Sequence, residues 1–258
     1  MNERVLLVAP ASKLTSQLES AGFQTTTWPP LQLAPPDNFA ALDEAIANLY
    51  GYDWIIFIDS EAVRFFVERV RQQSREVSDL DTLRVCAIGE ATGAALEHAR
   101  VHVDVVATQT NPSAIVEQVA TYAGGIEHLD RLNFLLPQAA IGRDYLKEHI
   151  ESIGARADVV VSYQTVANDD LTRLAGLHSM LLTGSFDAVV FAAPDEVFEL
   201  ARVFDTNNLD RLLRSTFVLA IGEATKNAAE AAGISHPLQP DASAPHAITE
   251  LLAKRFGV

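Results

Sequence analysis

Residues Tyr52–Val63 read YDWIIFIDSEAV, and Phe186–Val197 read FDAVVFAAPDEV. Both place an aromatic residue and an Asp ahead of a short apolar run, then a turn, then apolar positions at helical spacing. The runs Trp54–Ile58 and Ala188–Ala192 are flanked by polar residues and rich in branched or aromatic side chains. Such runs suit strands buried on both faces, as in a parallel sheet covered by helices. Val63, Phe66, Val67 and Val70 then mark one face of a helix, and Val197, Leu200, Ala201 and Phe204 the matching face of another.

The pair belongs to a longer repeat. Tyr52 and Phe186 are separated by 186 − 52 = 134 positions, and AIGEAT occurs at Ala87–Thr92 and again at Ala220–Thr225, 220 − 87 = 133 positions on. Thr110, Pro112 and Ile115 return as Ser243, Pro245 and Ile248. RVLLVAP at Arg4–Pro10 answers RLNFLLP at Arg131–Pro137, and ESAG at Glu19–Gly22 answers ESIG at Glu151–Gly154. Matches in one order at nearly one offset predict two copies of one α/β unit. Between these anchors strands alternate with helices at a density that implies doubly wound parallel sheets.

The second copy stops short of a final strand–helix–strand, which Arg4–Thr27 supplies from the start of the chain. One domain is therefore expected to be discontinuous, 1–30 plus 170–258, and the other continuous, 37–162, with linkers at 31–36 and 163–169. Residues 28–36 carry four prolines, which remove amide donors and stiffen the chain, so an extended connection is expected there. Asp158–Val161 is read as the last strand of the continuous domain, with Tyr163 at its end. Ile141–Ile153 is read as a helix closed by Gly154.

Nineteen Lys and Arg against 34 Asp and Glu give a net charge of −15. That excludes nucleic acid and anionic membranes as expected partners, because both need clustered basic residues. No apolar run is long enough to span a bilayer, and no basic leader or cleavable apolar segment precedes the first strand, so a signal peptide is not expected. Cys86, the single cysteine, sits in a strand-like run and reads as a buried apolar thiol. With no partner cysteine in the chain, a reducing, cytoplasmic setting is expected.

In open α/β sheets, ligands lie beyond the carboxyl ends of the strands. The turns there are Asp59–Glu61, Gly89–Thr92 and Pro137–Arg143 in one copy, against Ala193–Asp195, Gly222–Thr225 and Pro10–Lys13 in the other. If the two sets of tips face a shared cleft, helix N-termini would line it and suit carboxylates or phosphates. Plainer readings stand beside this one. Gly89 and Gly222 serve as turn glycines that let strand and helix approach closely; Thr92 and Thr225 lie on helix faces; Asp59 and Asp195 are first-turn residues. Tyr163 either reaches a ligand or packs the hinge, and Arg143 either pairs with a carboxylate or is solvated. No GxGxxG or GxxxxGK[ST] occurs. His98 and His102 fall at a helix end without further ligands, so no metal is expected.

YDWIIFIDSEAVRFF at 52–66, AIGEAT at 87 and 220, LLPQAAIGRDYLKEHIESIGARADVVVSYQT at 135–165 and FDAVVFAAPDEV at 186–197 together resemble the uroporphyrinogen-III synthase family. The resemblance implies two similar flavodoxin-like domains joined by a two-stranded linker. It implies cofactor-free conversion of a linear tetrapyrrole, hydroxymethylbilane, to uroporphyrinogen III, with loss of water and inversion of the last pyrrole ring, in a protein expected to be a monomer. Tyr163 matches the tyrosine of the family's Tyr-x-Thr pattern, which is thought to assist departure of the hydroxyl. Ser60 matches the serine of its Thr-Ser turn, Thr92 and Thr225 the threonines after the turns at Gly89 and Gly222, and Arg143 the arginine of its Gly-Arg pair. The sequence departs from the pattern at Ala9, where the family usually has arginine, at Asp59, and at Ala192–Pro194. These departures motivate an alternative: a catalytically silent relative that binds tetrapyrroles or regulates.

Overall fold

The computed structural model describes residues 3–141 and 144–257. In chain order the first elements are β1 (Arg4–Val8), α1 (Lys13–Ser20), β2 (Gln24–Thr27), β3 (Leu31–Ala34) and α2 (Ala40–Ala47). There follow β4 (Trp54–Phe57), α3 (Ser60–Gln72), β5 (Arg84–Ile88), α4 (Glu90–His98), β6 (Val105–Ala107) and α5 (Pro112–Ala123). Next come β7 (Asn133–Ala139), α6 (Tyr145–Ser152), β8 (Arg156–Ala167) and α7 (Leu171–Leu182). The last are β9 (Ala188–Phe191), α8 (Pro194–Val203), β10 (Phe217–Ala220), α9 (Glu223–Ala231) and α10 (Pro245–Phe256).

The chain divides into two compact units, Met1–Gln32 with Val166–Val258, and Leu33–Thr165. The first unit contains a four-stranded sheet of order β10-β9-β1-β2, and the strands that open and close the chain pair in parallel within it. Its strands alternate strictly. Leu6, Val8, Val189 and Phe191 face a core built with α7, α8 and α9. Val5, Leu7, Ala188 and Val190 face the opposite core, closed by α1 and α10. Helices on both faces force near-continuous apolar strands, which is why the runs read as they do.

The second unit holds the sheet of order β3-β8-β7-β4-β5-β6. Ile55 and Phe57 pack under α2, α3 and α4, while Trp54 and Ile56 pack against α5 and α6. Taking β7 as the first strand of this copy, the order β8-β7-β4-β5-β6 is 2-1-3-4-5, the flavodoxin-like order, whose strand sequence reverses between β7 and β4.

The expected fold class, α/β with two parallel-sheet bodies, is what the chain adopts. Its details differ in three places. Leu31–Ala34, between the prolines, is a strand at the sheet edge, where missing amide donors are tolerated. The helix expected from Ile141 begins at Tyr145. And β8 continues to Ala167, so Tyr163 sits inside a strand and not at its end.

Candidate functional site

The carboxyl ends of β7 and β4 bracket the point where strand order reverses, and a side chain from β8 reaches across it. Ala157 and Val159 of β8 pack toward the α5–α6 side, and Val160 toward α3. Strict alternation would then return Tyr163 to the α5–α6 side. A bulge prevents this: Gln138 pairs with Val161 but Ala139 pairs with Tyr163, leaving Ser162 as the extra residue. Ser162 is 1% exposed, and its hydroxyl donates to the Gln138 carbonyl at 3.2 Å. Tyr163 therefore joins Val160 in the α3-side core.

There the Tyr163 hydroxyl donates to Asp59 Oδ2 at 2.8 Å, and its ring stacks on Phe65 with centroids 5.5 Å apart. Asp59 is the N-cap of α3, with extended backbone (φ −151, ψ 168), and its Oδ1 accepts the Ala62 amide at 2.7 Å. One carboxylate thus closes a helix end and holds a phenol 104 residues away. Burial, with the bond to Asp59 and the charges of Asp59 and Glu61 adding to it, pushes the Tyr163 pKa well above the ordinary tyrosine value. Arg64 lies 4.0 Å over the Phe65 ring and pairs with Glu61 at 2.6 Å.

Ser60 is the first residue of α3, half-buried, and its hydroxyl makes no hydrogen bond among the described residues. It lines a groove of about 540 Å³ between α3 and α4 with Val63, Arg64, Arg71, Ala91 and His98. Gly89 caps α4 at φ 84, ψ 156, and Gly222 caps α9 at φ 87, ψ 158. A Cβ added at either would meet nothing within 4 Å. Close approach is therefore not what requires glycine here; the backbone conformation is. With glycine as N-cap, neither helix has a side-chain cap, so the first-turn amides remain open to a ligand. Thr92 and Thr225 follow at matching positions, 3% and 2% exposed, as helix-face residues turned inward.

Tyr163, Ser60, Gly89 and Thr92 belong to Leu33–Thr165, whereas Gly222 and Thr225 belong to the other unit. Arg143 lies outside the described residues. At Ala193, the counterpart of Asp59, no side chain can cap α8. Glu196 accepts the Ala192 and Ala193 amides instead, at 2.6 and 3.0 Å. Among the described residues no group of three or more His, Cys, Asp or Glu is placed to hold a metal ion. Burial pushes the Cys86 thiol up to about 12, so it is inert. Sequence reasoning missed the tie between Asp59 and Tyr163; the one signal for it was the departure of Asp59 from the family pattern.

Residues 12–250 match the family described as Uroporphyrinogen-III synthase HemD. The chain belongs to the uroporphyrinogen-III synthase family. Among curated relatives, the uroporphyrinogen-III synthase of Synechococcus elongatus is 26% identical over 67% of this chain and 65% of its own length, so the match spans just under two thirds of that protein. The uroporphyrinogen-III synthase of Chlorobaculum parvum is 23% identical over 92% of both chains. The crystal structure of uroporphyrinogen-III synthetase from Helicobacter pylori shares the fold, with a TM-score of 0.55 at 14% identity over 99% of this chain and 100% of that one. Uroporphyrinogen-III synthase family membership thus rests on sequence, and the shared fold agrees with it.

Proposed function

We infer that this chain is a uroporphyrinogen-III synthase, which closes hydroxymethylbilane into uroporphyrinogen III with loss of water and inversion of the last ring. The observation that carries this reading is the family match from residue 12 to residue 250. The chemistry asks little of the protein. The C–O bond breaks with its electron pair passing to oxygen, which leaves as water after gaining a proton. The remaining cation is delocalised onto the pyrrole nitrogen. A flexible polycarboxylate must be held folded, and free solvent kept from the cation. The open first-turn amides of α4 and α9 suit substrate carboxylates, Ser60 offers an unengaged hydroxyl, and the family resemblance assigns Tyr163 to the departing hydroxyl. Arg143 would pair with a further carboxylate.

The protein is taken to act as a cytoplasmic monomer on this small molecule, without nucleic-acid or membrane partners. The charge of −15 speaks against nucleic-acid and anionic-membrane partners, and among the described residues no helix is long and apolar enough to cross a membrane. Incubation with hydroxymethylbilane and chromatographic separation of the isomers tests the reading. Isomer III in excess of an enzyme-free control is expected; isomer I alone overturns it. Ala192 and Ala193, which carry no hydroxyls, favour a second reading of binding without turnover. Tight binding of the linear tetrapyrrole together with isomer I alone would establish it.

A further inference from the structure

The family resemblance implies that Tyr163 assists departure of the hydroxyl, and a phenol free to do so would offer its proton. The geometry assigns that proton elsewhere. It points at Asp59, on a carboxylate already fixed by the α3 amide end, and the ring carrying it is clamped on Phe65. The bulge at Ser162 delivers the ring to this place. We propose that Asp59 is a positioning residue for Tyr163: it holds the phenol by its proton, so that Tyr163 meets the substrate as a fixed, electron-rich oxygen backed by a carboxylate.

This inference rests on the proposed synthase activity. A phenol donating to a carboxylate gains electron density at oxygen and cannot surrender its proton while the bond persists. What the pair supplies is therefore a field suited to positive charge, and positive charge is what hydroxyl departure leaves on the terminal pyrrole. The proton that converts the leaving hydroxyl to water comes from solvent, not from Tyr163. The negative charge of Asp59 also explains itself on these terms. It repels substrate carboxylates in the ground state but stabilises the cation in the transition state, so it favours turnover at some cost to binding. The charged groups facing the phenol are Asp59 and Glu61, with Arg64 pairing Glu61.

Asp59→Asn tests this without removing volume. The amide oxygen can still cap Ala62, while the amide NH₂ faces the phenol and reverses the hydrogen bond. The expected result is a kcat lower by roughly ten- to a hundredfold with KM unchanged or lower. Ultraviolet titration should show the Tyr163 ionisation, identified by its absence in Tyr163→Phe, moving down toward the ordinary tyrosine value. Asp59→Ser, which keeps a capping side chain but cannot hold the phenol, should lose turnover similarly while remaining folded. A kcat within about twofold of the parent in both variants, or an unmoved Tyr163 titration, overturns the proposal. If the parent protein itself forms no isomer III, the synthase reading fails. The titration still reports separately whether Asp59 holds the phenol.

Discussion

The two copies of the α/β unit are alike at the amino ends of their strands; at the carboxyl ends they share the Gly89 and Gly222 turns but differ after β4 and β9. At the amino end, Asp53 Oδ2 accepts the Asn133 amide and Asp187 Oδ2 accepts the Arg4 amide, both at 2.8 Å. Each Asp also exchanges backbone bonds with both neighbouring strands at 2.9 Å. After β4, Asp59 caps α3 and holds Tyr163; after β9, Ala193 caps nothing, and Glu196 reaches back from within α8 to accept the Ala192 and Ala193 amides. The fifth strand differs too. β6 pairs with β5 over three residues, while its counterpart shrinks to one bridge, Leu219 with Leu238. Both copies keep the same device at the strand starts and at the glycine turns; the divergence lies at the turn after β4 and β9 and in the fifth strand. On the proposed reading the reacting groups lie in the six-stranded unit, which holds all five tyrosines of the chain.

The sharpest way to break the comparison is Tyr163→Phe. Turnover to isomer III should fall roughly a hundredfold, while the denaturation midpoint barely moves because the stack on Phe65 survives. Unchanged turnover would reduce Tyr163 to packing and leave the two copies equal in function. Next come the paired glycines. Gly89→Ala and Gly222→Ala should each cost about 1–3 kcal/mol in chemical denaturation, from backbone strain alone, since neither new methyl meets a neighbour. Clearly unequal costs would show that the matching turns are not equivalent.

Exchange of the caps probes smaller differences. Asp59→Ala should destabilise by about 1 kcal/mol through the lost α3 cap. Ala193→Asp, at a backbone already extended (φ −143, ψ 156), should stabilise by less than ~1 kcal/mol, because the new cap is offset by repulsion from Asp195 and Glu196 in the first turn. The smallest effect is expected at alkaline pH. Burial, followed by the bond to Asp158, raises the Tyr52 phenol from 10.0 to about 12. A phenol kept neutral by the fold contributes stability that is complete below the unfolded value and is lost as pH rises through about 12. Phe186 occupies the matching position in the other copy. Tyr52→Phe should therefore flatten the alkaline fall of the six-stranded unit, measured by hydrogen exchange resolved by segment, and leave the four-stranded unit unchanged.

The architecture was legible because its signals are local and duplicated. Apolar runs bounded by Asp and Gly mark β4, β5, β9 and β10, and the repeated AIGEAT fixes two identical strand-to-helix turns. Gly22 and Gly154 follow helix ends at φ 95 and 87, as glycines after a helix should. What escaped was long-range or depended on neighbours. Leu31–Ala34 becomes a strand only because β8 lies beside it, and β8 outruns its apolar segment for the same reason. The bulge at Ser162 has no sequence mark, yet it decides which face Tyr163 joins. Close packing was expected to require glycine at positions 89 and 222, but only the dihedral angles do. Asp59 was visible as an anomaly; its meaning lay in a partner that periodicity cannot reach.

The four-stranded sheet is sewn from the two ends of the chain: the Arg4 amide bonds to Asp187, 183 residues away. During synthesis, Leu33–Thr165 is complete and able to fold while β1, α1 and β2 still await β9 and β10. Until then the apolar strand Val5–Val8 has no lasting cover. Biogenesis is thus staggered, and the half that carries the tyrosines matures first.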